Sequence, residues 1–419
     1  MWRCTLEPSN KNLSESLFNK HQHAKETSSF ISYLSDSQAL LDANQKRSKS
    51  AWYRALRRMQ WIWQGLDPIE IESVFARIAS SGNKHNHPDW LDTVAGYRPG
   101  NWAYEWSQQG AFHQKKAVQL SGEAASNEYF IASLCFSVAS YPHLKGDNLS
   151  IQAQVLANKA YADAMEHSPY VTKALKIPYK NKKIMANLHL PHTEKPLPIV
   201  MVSAGIDSLQ TDMWRLFRDF LAQHEIGMLT VDMPGVGANI HWSMTEDSSC
   251  LHQAVLNELP NIPWVDHYKV GLLGFRFAGN VMARLSFIEQ EKVSACVALG
   301  APIHELLSDA NKFGMMPKMY LDTLASRVGK NAVDIASFSQ QVRAWSLKSQ
   351  GLLAGRKTTV PILALGLEGD PVGSKLDNQS LATFSQGGKA VELRTKSISQ
   401  GYDQALNSAV DWLKIALKK

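Results

Sequence analysis

The stretch Val270-Gly271-Leu272-Leu273-Gly274-Phe275-Arg276-Phe277-Ala278-Gly279-Asn280-Val281-Met282-Ala283-Arg284 decides the fold. A short apolar run, Val270 to Leu273, has the length and composition of a buried strand. It stops at Gly274, and a helical pattern starts near Gly279. Gly274 and Ala278 stand two residues either side of Arg276. Small residues at those places are what a chain needs to turn sharply from strand into helix, the frame Gly-x-Ser-x-Gly of a nucleophile elbow. Here an arginine stands where the serine would be. By itself a Gly-x-x-x-Ala frame also fits any strand–helix turn.

The flanks add weight. Val265-Asp266 and Lys269-Val270 resemble the Val-Asp-x-x-Arg-Val lead-in of many α/β-hydrolases. Asp232-Met233-Pro234-Gly235-Val236-Gly237 resembles their Asp-x-Pro-Gly-x-Gly turn after the fourth strand. Ser203-Ala204-Gly205-Ile206-Asp207 follows the third strand, where such enzymes carry an oxyanion loop. Gly369-Asp370-Pro371 follows the seventh, the place of the triad acid. Apolar strands alternate with helical segments throughout this part. Strands are expected at 171–179, 183–190, 199–202, 227–231, 270–273, 295–299, 362–365 and 391–394. The first two form a hairpin about Lys180-Asn181-Lys182. Helices are expected at 212–224, 252–259, 280–290 and 402–417. This alternation implies a mostly parallel, doubly wound sheet covered on both faces. Between Pro302 and Thr359 lies an insertion with helical patterns at 304–309, 319–327 and 333–347. It is too long for a plain crossover and reads as a lid.

The first 170 residues have another texture, without strong strand signals. Asp67-Pro68-Ile69-Glu70 opens a helix, with an N-cap aspartate and proline at the first helical position. Further helices are expected over Trp52–Gln64, Trp102–Leu120, Ala124–Ala139 and Ser150–Glu166. Trp2, Trp52, Trp61, Trp63, Trp90, Trp102 and Trp106 all fall here, out of 12 tryptophans in the chain. Arg54, Arg57 and Arg58 alternate with aromatics, a pattern that nucleic-acid binders share. A solvated basic face above a buried aromatic one is the preferred reading. The expected organisation is thus a helical N-terminal domain, 1–170, and an α/β-hydrolase domain, 171–419, with its lid at 302–359.

Composition excludes several classes. The chain has 419 residues, 44% hydrophobic and 20% charged, which is globular rather than disordered or fibrous. A formal charge of +6 is small for this length, and no basic run suggests nucleic acid. No segment approaches the ~18 apolar residues that span a bilayer. MWRCTLEPSNKNLSESLF lacks the apolar core of a secretory signal. The four cysteines, Cys4, Cys135, Cys250 and Cys296, form no Cys-x-x-Cys pair. A cytosolic protein with reduced thiols, no metal and no cofactor is expected. His241 and His252 are spaced without a carboxylate partner and do not suggest zinc. His224, His267 and His304 read as surface or core residues.

The triad histidine should follow the eighth strand. The loop there, Ser397-Ile398-Ser399-Gln400-Gly401-Tyr402, has none, and His304 is the last histidine in the chain. Both serine and histidine slots are therefore empty, and only Asp370 remains. Arg276 cannot serve as nucleophile or base at neutral pH. Two roles stay open for it: an anion clamp for a substrate carboxylate or oxyanion, and an ion pair with Asp207 that ties two loops together. Asp370 is either a relic that orients Arg276 or a base acting on water. The amides of Ile206 and Phe277 stand where an oxyanion hole forms, beside Gly205, Gly274 and Ala278. Ser203 and Ser208 lie nearby without an elbow frame.

Long stretches resemble the FrsA family, the fermentation–respiration switch proteins, across nearly the full chain. They are Trp90-Leu91-Asp92-Thr93-Val94, Arg98-Pro99-Gly100-Asn101-Trp102, Tyr141-Pro142-His143-Leu144-Lys145, Asp207-Ser208-Leu209-Gln210-Thr211-Asp212 and Gly274-Phe275-Arg276-Phe277. The resemblance implies an α/β-hydrolase fold behind a helical region, an arginine at the elbow, and classification among carboxylic-ester hydrolases. It also implies a partner, the glucose-specific IIA component of the phosphotransferase system, and a link to fermentative pyruvate metabolism. Two other readings follow. One is a lyase for a small 2-keto acid, its carboxylate on Arg276, although decarboxylation needs an electron sink such as thiamine diphosphate and no Gly-Asp-Gly segment suggests it. The other is a regulatory protein with a metabolite-sensing pocket, docking through its Trp-rich N-terminal surface.

Overall fold

The computed structural model describes residues 26–34, 51–395 and 397–418; Trp2, Cys4 and the N-terminal stretch around them lie outside this set. Among the described residues, eight strands form one sheet: β1 (Val171–Tyr179), β2 (Lys182–Leu190), β3 (Leu197–Ser203), β4 (Gly227–Val231), β5 (Val265–Phe275), β6 (Ala295–Leu299), β7 (Ile362–Leu367) and β8 (Lys389–Leu393). Their spatial order is β8-β7-β6-β5-β3-β4-β2-β1. β1 and β2 form an antiparallel hairpin, β2 joins β4 antiparallel, and all pairs from β4 to β8 are parallel. The strand order reverses beside β3, which lies between β4 and β5. The crevice beyond the carboxyl ends of β3 and β5 is where open α/β sheets bind ligands. This is the α/β-hydrolase arrangement that the alternation of strands and helices implies.

Helices precede the sheet: α1 (Arg58–Gln64), α2 (Pro68–Ala79), α3 (Trp102–Ala117), α4 (Gly122–Ser140) and α5 (Asn148–Glu166). Asp67 caps α2 as expected, accepting from the amides of Ile69 and Glu70. α6 (Cys250–Glu258) and α7 (Phe277–Ile288) flank β5, and α8 (Lys318–Arg327) and α9 (Ile335–Val342) lie in the insertion. α10 (Lys375–Thr383) and α11 (Ile398–Leu417) close the chain. The stretch expected as a helix from Asp212 to His224 is instead a series of short turns of differing pitch, ended by Glu225 in the left-handed region.

The expected helix over Trp52–Gln64 is also corrected, because it starts only at Arg58. The carboxylate of Asp92 captures the amides of Tyr53 at 2.7 Å and Arg54 at 3.1 Å, which holds those residues out of a helix. Nor do the three arginines form a solvated basic face. Arg54 is fully buried and donates to Asp92, Thr27 and the carbonyl of Tyr141. Arg57 points into the interior, and Arg58 pairs with Glu72. Trp61, Trp63, Trp102 and Trp106 are buried, and Trp52 and Trp90 half-buried. They belong to one apolar cluster that runs on into β3, β6, β7 and α11. These rings are consumed in packing the helices onto the sheet, and none offers a large aromatic docking face.

Two buried histidines set an acid limit on stability. His189 on β2 and His252 on α6 are enclosed, and burial pushes each imidazole down to about 4. In the unfolded chain each would titrate near ~6.5. Between those values the unfolded state binds more protons, so their contribution is present above pH ~6.5 and is lost as pH falls toward 4. Asp232, raised to about 7 by burial, works in the opposite direction over the same window. A His252→Gln variant should therefore lose stability less steeply than the parent between pH 6.5 and 4. Urea unfolding at several pH values measures that difference, to which Asp232 contributes equally in both proteins.

Candidate active site at the strand–helix elbow

β5 ends at Phe275 and α7 begins at Phe277, so one residue makes the whole turn. That residue is Arg276, with φ 52° and ψ −122°. A non-glycine residue held there carries strain of about 1–3 kcal/mol. The turn is fixed by Arg276 N–H donating to Leu299 O at 2.8 Å and Gly279 N–H donating to Arg276 O at 2.9 Å. Gly274 is required by space: a Cβ there would stand 2.3 Å from the carbonyl oxygen of Ala278. Ala278 is itself fully buried. The elbow frame read from the sequence is thus a real elbow, with a guanidinium at its apex.

The structure pairs that guanidinium with Asp370, as the orienting reading of Asp370 expects, and corrects the expected pairing with Asp207. Arg276 Nη1 donates to Asp370 Oδ2, not to Asp207. The Arg276 side chain is 47% exposed and that of Asp370 4%. The amides of Val372 and Gly373 donate to Asp370 Oδ1 at 2.9 and 3.4 Å. Gly300 and Gly373 allow this meeting of the β6 and β7 loops, since a Cβ on Gly373 would stand 2.4 Å from the Gly300 backbone. Asp370 is therefore a fixed acceptor whose lone pairs are largely spent, and it orients one edge of Arg276.

Asp207 pairs instead with Arg57, from the segment before α1. Arg57 also lies over the rings of Tyr141 and Tyr320, at 5.6 and 5.8 Å from their centroids, and donates to Tyr320 Oη at 3.4 Å. Its guanidinium is held well above the ordinary arginine range by Asp207, against the opposing effect of burial. Sequence reasoning set Arg57 aside as a surface charge. The only signal for it was its place in an aromatic-rich run, which does not say which way the side chain points.

The two arginines line one cavity of about 520 Å³ over the carboxyl ends of β3, β5, β6 and β7. Its apolar walls include Met59, Trp63, Leu365 and Tyr402, and Tyr320 enters it from α8. The amides of Ile206 and Phe277 donate to no backbone partner among the described residues. The next peptide along, Ile206–Asp207, is held by Arg327 Nε, which donates to Ile206 O at 2.8 Å. Gly205, at φ 121°, supplies the turn into this loop.

Among the described residues no serine takes over the empty elbow slot. Ser203 is buried, and Ser208 faces a separate polar chamber of about 10 Å³, lined also by His143, Asp207 and Asp212. Such a space admits about one water and no ester. Burial holds the His143 imidazole well below its ordinary range, and its Nδ1 lies 2.5 Å from Ser140 Oγ. His304 bonds Ser346 Oγ at 2.8 Å and does not line the cavity. Among the described residues no group of three or more His, Cys, Asp and Glu could hold a metal ion, and no helix is long and apolar enough to cross a membrane.

The comparisons with known proteins agree with this fold. Residues 8–418 match the family described as Esterase FrsA-like. An Esterase FrsA of Vibrio parahaemolyticus is 61% identical over 408 residues, covering 97% of this chain and 98% of that one. An Esterase FrsA of Vibrio cholerae is 59% identical over 413 residues, covering 99% and 100%. Among solved structures, a 2,6-dihydroxy-pseudo-oxynicotine hydrolase superposes with a TM-score of 0.68 over 86% of this chain and 95% of its own, at 15% identity. That last likeness shows the fold alone. From elbow, strand order and near-complete sequence match together, the chain belongs to the FrsA-like esterase family.

Proposed function

We propose that the cavity binds small esters and carboxylates through Arg276 and turns esters over slowly, without a serine nucleophile. The observation that carries this is a half-exposed guanidinium at the apex of a strained elbow, facing a cavity with apolar walls. Arg276, which lines the cavity, stabilises the oxyanion that forms as water adds to the carbonyl, whereas Ile206 and Phe277 do not line it. Asp370 holds the guanidinium in place. An oxyanion hole and binding alone supply about 10³–10⁴-fold over water when triad residues are missing. The insertion at 302–359 acts as the lid, Tyr320 reaching down from it. Arg57, just before α1, and Trp63 on α1 supply the other wall.

The second reading is a sensor that binds a carboxylate and does not turn it over. Its favouring observation is that, among the described residues, neither a serine hydroxyl nor an imidazole lines the cavity. In that reading, occupancy of the Arg276 site is what controls fermentation against respiration and meets the IIA component. The surface that would carry such a contact is not the buried tryptophans.

Treatment with a fluorophosphonate tests the mechanism. The expected result is unchanged ester hydrolysis and no stoichiometric adduct, since the elbow offers no hydroxyl. Rapid capture of Ser203, Ser208 or another serine with loss of activity would show a displaced nucleophile.

A further inference from the structure

The chain position from which a histidine base acts in this fold, just after β8, is not vacant in space. Tyr402 stands there, in the second turn of α11. Its ring is stacked on Trp63, with centroids 6.2 Å apart and planes 18° from parallel. It lines the cavity together with Arg276, Arg57 and Tyr320. Tyr320 Oη accepts from Arg57, whereas Tyr402 Oη finds no hydrogen-bond partner among the described residues. The phenol is held above its ordinary range, chiefly by burial and against the two guanidiniums. It therefore stays protonated across the physiological range and is a donor rather than a base.

We infer that Tyr402 is the second ligand-contacting group of this site, a hydrogen-bond donor to the leaving oxygen of an ester whose carbonyl oxygen lies on Arg276. This rests on the hydrolytic reading above. In the step, the water oxygen bonds to the acyl carbon, the acyl carbon–oxygen bond breaks, and one water proton ends on the departing oxygen. Tyr402 keeps its own proton and disperses charge on that oxygen while the bond breaks. Such help matters more when the departing oxygen is more basic. The favoured substrates are accordingly esters of ordinary alcohols or phenols, not activated esters alone. Nothing in the sequence spacing marks this residue, since it occupies a histidine position with a different proton chemistry.

Tyr402→Phe removes one oxygen and keeps the stack on Trp63, so the fold is preserved, and thermal unfolding checks this. The experiment compares kcat/KM for p-nitrophenyl acetate and p-methoxyphenyl acetate in the parent, Tyr402→Phe and Arg276→Gln. For Tyr402→Phe the expected loss is about threefold on the first ester and tenfold or more on the second. Arg276→Gln should lower both by a similar factor. An equal loss on both esters, or none, in Tyr402→Phe while Arg276→Gln falls would overturn the role of Tyr402 and leave the hydrolytic reading standing. Parent-like rates in both variants would overturn the two together.

Discussion

Arg327→Met should destabilise the protein by about 4 kcal/mol. Arg327 sits on α8 with no solvent exposure. Its Nε donates to Ile206 O at 2.8 Å, Nη1 to His143 O at 2.8 Å and Gly235 O at 2.6 Å, and Nη2 to Pro142 O at 2.8 Å. One guanidinium thus joins the insertion to the oxyanion loop, the Tyr141-to-Lys145 segment and the turn after β4. Burial pulls its pKa down to about 10, with Asp207 and Asp232 opposing, so it remains charged at neutral pH. Methionine fills most of the volume but strands four buried carbonyls, each costing about 1 kcal/mol or more. For a chain of this size that corresponds to a fall in Tm of about 5 °C. Arg327→Lys should recover little, because an ammonium cannot reach four diverging acceptors at once. Thermal unfolding of the three proteins is the measurement. A Met variant within about 2 °C of the parent would mean that the carbonyls find other donors.

What the sequence made legible was local. The elbow could be read because its steric demand falls on Gly274 and Ala278, two residues either side of the apex. The Asp-x-Pro-Gly-x-Gly turn could be read for the same reason: a Cβ on Gly237 would stand 2.1 Å from Asp232 Oδ2, so the turn tolerates only glycine. Strands β4 and β6 could be placed to the residue, being short apolar runs between turn signals. What could not be read were choices between partners distant in the chain. Arg276 had two carboxylates at the same sheet edge, and spacing does not say that the β6 and β7 loops touch closely enough to favour Asp370. Asp207 took Arg57, 150 residues away. Arg54 turned inward because Asp92 and Thr27 await it there, which no periodicity within Trp52–Gln64 reveals. That the tryptophans are buried agrees with the preferred reading of the region, but that the sheet is what buries them is a property of the assembled fold.

Arg276→Gln should lower kcat/KM for ester hydrolysis by about 10²–10³, the usual cost of removing one donor from an oxyanion site. The glutamine keeps most of the length but loses the charge, and its single amide does not reproduce the fork. Asp370 then faces an uncharged neighbour but keeps the amides of Val372 and Gly373, so folding should survive. Arg276→Ser should be no better, although it restores the elbow residue of a serine esterase. A hydroxyl without a base is a poor nucleophile near neutral pH. His143, which lines the chamber beyond Arg57, is neutral and outside the cavity. Adding Gln400→His to Arg276→Ser should bring only a modest gain, because the imidazole must be placed within about 0.5 Å of productive geometry.

The central claim is that the site works through the guanidinium at the elbow. Its most direct test is kcat/KM for a p-nitrophenyl ester in the parent and in Arg276→Gln, with thermal unfolding measured on both. The predicted result is a loss of at least about 100-fold at a closely similar Tm. Parent-like turnover by the glutamine variant would contradict it.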